Sequence, residues 1–127
     1  MKYKRGLDKG GADKILSAGL ELVCAISAED ADVIALRLEN TGSSALTGFD
    51  IKTSVARNAE ADSISAPSWT EEDGLIVTRG ASTSPAYLSA GSSVSLSINV
   101  SDRAELQVWA SGPGATLVVE AGLYSAG

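Results

Sequence analysis

Residues 94–100 read Val-Ser-Leu-Ser-Ile-Asn-Val, apolar side chains alternating with polar ones. Successive side chains of an extended chain point to opposite faces. This period of two therefore fits a strand with one face on a core and one in water. The same period returns at residues 32–39 (DVIALRLE), with Ile34, Leu36 and Leu38 on one face and Val33, Ala35, Arg37 and Glu39 on the other. Residues 20–26 (LELVCAI), 46–55, 105–110 and 115–124 extend the pattern, and residues 62–65 suit a short edge strand. In 46–55 the expected packing positions are Leu46, Phe49, Ile51, Thr53 and Val55, and Trp109 is expected in the core. Turn residues punctuate these runs: NTGSS at 40–44, an acidic turn ending in Gly74, and SGPG at 111–114. Convincing helical periodicity and fixed-period repeats are both missing. The chain is expected to be all-β, a β-sandwich of seven to eight short antiparallel strands with Greek-key-like connections, a closed barrel being the runner-up.

The length, 127 residues, suits one domain, and a 44% hydrophobic content is enough to bury a core. No apolar stretch reaches the roughly 18 residues of a membrane-spanning helix. Residues 1–19 hold four glycines and five basic residues and show no strand pattern. They are expected to form a basic N-terminal arm, extended or docked, with the sandwich domain over 20–127.

Charge follows the same division. Residues 1–14 carry a net +3, from Lys2, Lys4, Arg5, Lys9 and Lys14 against Asp8 and Asp13, leaving −9 for the remainder. Such an acidic body is repelled by nucleic-acid phosphates, so no direct nucleic-acid partner is expected. The arm suits an acidic surface on a partner, or a neighbouring copy of the same acidic body.

Several chemistries are excluded or disfavoured. Histidine is absent, which removes the commonest general base, serine–histidine and cysteine–histidine nucleophiles, and imidazole zinc sites. One cysteine, Cys24, allows no internal disulfide, and its apolar neighbours Val23 and Ala25 suit a packed thiol, not a reactive one. The acidic runs 29–32 (EDAD) and 71–73 (EED) lack the spacing of a calcium loop and read as solvated turns. No metal, cofactor or enzymatic activity is expected. Trp69, following Pro67-Ser68 and preceding three carboxylates, is either a contact residue or a cap on one end of the sandwich. The polar, charged stretch after the basic start is no secretion signal, and synthesis in a cytoplasm is expected.

The run from Val33 to Ile51, strand–NTG–strand, resembles the hairpin of immunoglobulin-like β-sandwich domains found in bacterial adhesion-type modules and phage virion proteins. Residues 88–96 (LSAGSSVSL) look like the L-x-A-G-x-S lead-in that those domains use before a late strand. Together with the basic arm and the Ala/Ser/Gly-rich body, this resemblance implies a phage structural protein, nearest to capsid decoration (cement) proteins. It implies a major capsid or other virion protein as partner, self-association, and residence in the virion. Lys2, Tyr3, Lys4, Arg5, Lys9, Lys14 and Trp69 are the expected contact residues. The alternatives are a tail, neck or fibre-associated module, or a surface or carbohydrate-binding module.

Overall fold

The computed structural model describes residues 2–6, 12–55, 62–63 and 88–125. Among these it contains nine strands and no helix: β1 (Lys2–Gly6), β2 (Ala12–Ile15), β3 (Glu21–Ser27), β4 (Val33–Asn40), β5 (Gly48–Ser54), β6 (Asp62–Ser63), β7 (Ser93–Asn99), β8 (Glu105–Ser111) and β9 (Thr116–Ser125). All pairings are antiparallel. Sheet A runs β1-β9-β4-β7, with β2 also on β9, and sheet B runs β3-β8-β5-β6.

The register shows that β1 and β2 act as one interrupted edge strand. β1 pairs with the end of β9, from Lys2 opposite Ser125 to Gly6 opposite Gly122. β2 continues along the same strand, from Ala12 opposite Val119 to Ile15 opposite Thr116. Counting them as one gives eight strands, and the order becomes first-last-third-sixth in one sheet and second-seventh-fourth-fifth in the other. First pairs with last, second with seventh, third with sixth and fourth with fifth. This is an antiparallel ribbon wound so that successive pairs alternate between two sheets, the jelly-roll arrangement.

The expected immunoglobulin-like order is thereby corrected. An immunoglobulin domain keeps its first two strands side by side in one sheet, whereas here the first strand and β3 lie in different sheets. Nor is the strand–NTG–strand run a hairpin, since β4 lies in sheet A and β5 in sheet B; the local pattern does not encode this, because strand order depends on pairings between distant residues. The N-terminal segment joins sheet A. Where described, it lies along the chain's own β9, and Leu16, 4% exposed, belongs to the core.

One core joins the sheets. Ile34, Leu36, Leu38, Leu117, Val119 and Leu123 from sheet A meet Ile26, Ile51, Leu106, Val108 and Ala110 from sheet B. Alternation explains the choice: β4 buries every second residue, and so does β8 until its end. Leu46, Ile51 and Thr53 are buried as expected, and Phe49 packs against the core. Val55 is not buried. It is 68% exposed because β5 ends at Ser54.

One end of the roll is tied together by Asn40, whose side chain is fully buried. Its Nδ2 donates to the carbonyls of Ser44 (2.7 Å) and Leu88 (3.1 Å), and its Oδ1 accepts from the amides of Gly42 (3.0 Å) and Thr116 (3.3 Å). An amide side chain has two donor hydrogens and one acceptor oxygen, and all are used. Gly42 is required by close approach. A Cβ there would collide with the Gly114 carbonyl oxygen and lie 2.6 Å from the Thr116 nitrogen.

Candidate interaction surfaces

Two surfaces concentrate the features that could serve recognition: the rim of sheet A and the outer face of sheet B.

The rim is the interrupted edge strand. It places Lys2, Tyr3, Lys4 and Arg5 on β1 and Lys14 on β2. The β1 ladder shifts register between Tyr3 and Arg5, so Lys4 is an extra residue relative to β9. Bulges of this kind are common at sheet edges, where they locally disrupt the pairing ladder. Lys9 and Trp69, the other two expected contact residues, lie outside the described residues, as does the acidic run 71–73.

The outer face of sheet B is built in rows. Trp109 on β8 is flanked in register by Leu22 on β3 and Asp50 on β5. The next row is Ala25, Gln107 and Lys52, and beyond it Ser27 lies opposite Glu105. Trp109 is therefore corrected from core to surface. Leu106, Val108 and Ala110 are each fully buried, and a strand that buries those three must turn Gln107 and Trp109 outward. The signal was present in the alternation and was masked by the apolar neighbours of Trp109.

Side-chain bonds hold this face in one arrangement. Trp109 Nε1 donates to Gln107 Oε1 (3.0 Å), and Gln107 Nε2 donates to Glu105 Oε1 (2.9 Å). The Lys52 ammonium sits 4.5 Å from the Trp109 ring centre, within range of a cation–π attraction. Leu22 is 39% exposed, and Leu20, just before β3, is 48% exposed. A Cβ on Gly48 would lie 2.6 Å from the Ser111 hydroxyl oxygen and 3.6 Å from the Leu20 Cδ1, so Ser111 is crowded by a side chain there while Leu20 is at ordinary contact distance over β5.

The outer face of sheet A is different in kind. Ser93, Ser95 and Ser97 on β7 stand opposite Glu39, Arg37 and Ala35 on β4. Arg37 and Glu39 form a solvent-exposed ion pair (3.5 Å), of the sort that contributes little to stability.

Acidic residues gather at the turn end. Asp30 and Asp102 both adopt positive φ, 63° and 67°, a conformation aspartate tolerates in turns. Asp32 Oδ1 accepts from Ser101 Oγ (3.2 Å), and Asn99 Oδ1 accepts from the Ser101 amide (2.9 Å). These contacts are turn chemistry. Among the described residues no group of three or more cysteine, aspartate or glutamate side chains could hold a metal ion. Cys24 packs against the core, and burial pushes its thiol up to about 11 from an ordinary 9.0. It is therefore protonated near neutral pH, and a protonated thiol is a poor nucleophile.

Compared with protein-family models, with curated proteins and with solved structures, the chain matches none.

Proposed function

We propose that this chain is a non-enzymatic structural protein of a phage virion that decorates and stabilises a capsid by binding its shell in many copies. The observation that carries the reading is the rim of sheet A. Among the described residues, the outermost strand of sheet A carries Lys2, Lys4, Arg5 and Lys14 against Asp13, while residues 15–127 have net charge −9. Such a strand can engage a neighbour in two ways. Its basic residues attract an acidic surface, and its outer backbone edge can add to a strand of a partner. In the assembled shell the segment acts as the arm, with Lys2, Tyr3, Lys4 and Arg5 reaching the adjacent subunit or the adjacent copy.

The architecture supports the same reading. Jelly rolls recur in viral capsids and in lectins, a likeness of fold and not of site. A single arm contact is weak once its ordering cost, roughly 1–2 kcal/mol per residue, is subtracted. Repetition over a symmetric lattice compensates through avidity.

The test is co-sedimentation of the purified chain with intact particles and with empty shells of the phage that encodes it. Binding that weakens with salt, and weakens further when Lys2, Lys4 and Arg5 are changed together to glutamate, is the expected result. Charge reversal keeps the backbone ladder, so a folded variant with unchanged binding removes the rim from the mechanism. A folded wild-type chain that stays in the supernatant with both particles rejects the function.

A further inference from the structure

The outer face of sheet B has no part in the rim mechanism, yet it has the composition of a contact surface. Exposed Leu22 stands in register with Trp109, exposed Leu20 lies over Gly48 two residues along β5 from Asp50, and the tryptophan is held by Gln107 and Lys52 before any partner arrives. Tryptophan is among the residues on which binding energy concentrates. A side chain already ordered in the free protein loses less entropy on binding.

Charge selects the occupant. Among the described residues of this face, Asp50 and Glu105 stand against the ammonium of Lys52, on a body whose net charge outside residues 1–14 is −9. A second copy seated face to face would bring two acidic bodies together, which is unfavourable. Nucleic acid is disfavoured for the same reason. We infer that the outer face of sheet B, centred on Leu20, Leu22 and Trp109, docks onto a protein surface that is apolar in the middle and basic at its margin. This inference rests on the shell-binding reading and adds to it: sheet B is the face turned toward the shell, while the rim of sheet A reaches sideways.

The experiment measures binding of the full chain to empty shells for the wild type, Leu22→Glu and Trp109→Ala. Leu22 is partly exposed, so Leu22→Glu is expected to keep the wild-type melting curve while placing a charge in the apolar centre. Trp109→Ala removes the ring without adding charge. Both variants are expected to bind about tenfold more weakly or worse. Leu22→Glu binding as tightly as the wild type, with its fold intact, overturns the assignment of this face and leaves shell binding standing. A folded wild-type chain that binds no shell overturns both. A wild-type chain that sediments alone as a dimer, and becomes monomeric on Leu22→Glu, assigns the face to a second copy and also overturns the inference.

Discussion

Asn40 shows how one side chain can hold several loops in place. Its amide is buried and fully bonded, and its four bonds lead to three stretches: Gly42 and Ser44 in the turn after β4, Leu88 before β7, and Thr116 at the start of β9. Replacing it with alanine takes this partner from the part-buried Ser44 carbonyl and Gly42 and Thr116 amides, at about 1 kcal/mol or more for each, while the Leu88 carbonyl keeps its bond from the Leu46 amide. Asn40→Ala is expected to lower the urea midpoint by the equivalent of about 3 kcal/mol. Asn40→Asp should be nearly as harmful, because a carboxylate has no hydrogens for Ser44 and Leu88. An unchanged midpoint for either variant contradicts the hub role. Cys24 supplies a pH signature. Below pH 9 the thiol is protonated in both folded and unfolded chains. Between 9 and about 11 the unfolded chain loses that proton while the folded chain keeps it. Stability is therefore present below pH 9 and falls as pH rises through this window, by about 3 kcal/mol at most. Urea titrations at pH 8 and pH 10 should show a smaller pH difference for Cys24→Ala than for the wild type. Equal differences would remove Cys24 from the alkaline response.

At the scale of elements, the chain's own alternation made β4, β7, β8 and β9 readable within a residue or so at either end. The edge strands were much harder to read. β1 and β2 contain charged residues and border glycines because an edge strand need not bury both faces, and the interior strand β9 provides the ladder. Trp109 was misplaced by weighing its apolar neighbours above the register of Leu106, Val108 and Ala110. Val55 was misplaced because period two does not say where a strand stops. These differences predict a gradient of protection from hydrogen exchange. Amides of β4 and β9, paired on both sides, should exchange slowest, and those of β1 fastest. Protection of β1 equal to that of β4 contradicts its position as an outer strand. The core begins to hold the N-terminal segment at Leu16, among residues whose side chains are described. Leu16→Ala is expected to cost about 2–4 kcal/mol in urea unfolding, whereas removal of residues 2–6 should leave a cooperative transition. Loss of that cooperative transition would make β1 integral to the body.

At the scale of the whole molecule, the pairing of first strand with last could not be read from local pattern. Lys2 meets Ser125 across nearly the full length of the chain, and nothing in either neighbourhood announces the other. The two sheets and their shared core follow from period-two runs, while the jelly-roll winding follows from register alone. The candidate surfaces divide the same way: charge asymmetry made the basic rim legible, whereas the Trp109 face became visible only once Leu22 and Asp50 were found beside it. Both surfaces belong to a rigid body whose proposed work is to attach repeatedly to something much larger. The most direct measurement is the number of chains bound per empty shell at saturation, by quantitative sedimentation of shells mixed with excess protein. Decoration predicts a plateau at many copies per shell, set by the shell's symmetry. A plateau at zero or at a few copies, with the protein folded, contradicts it.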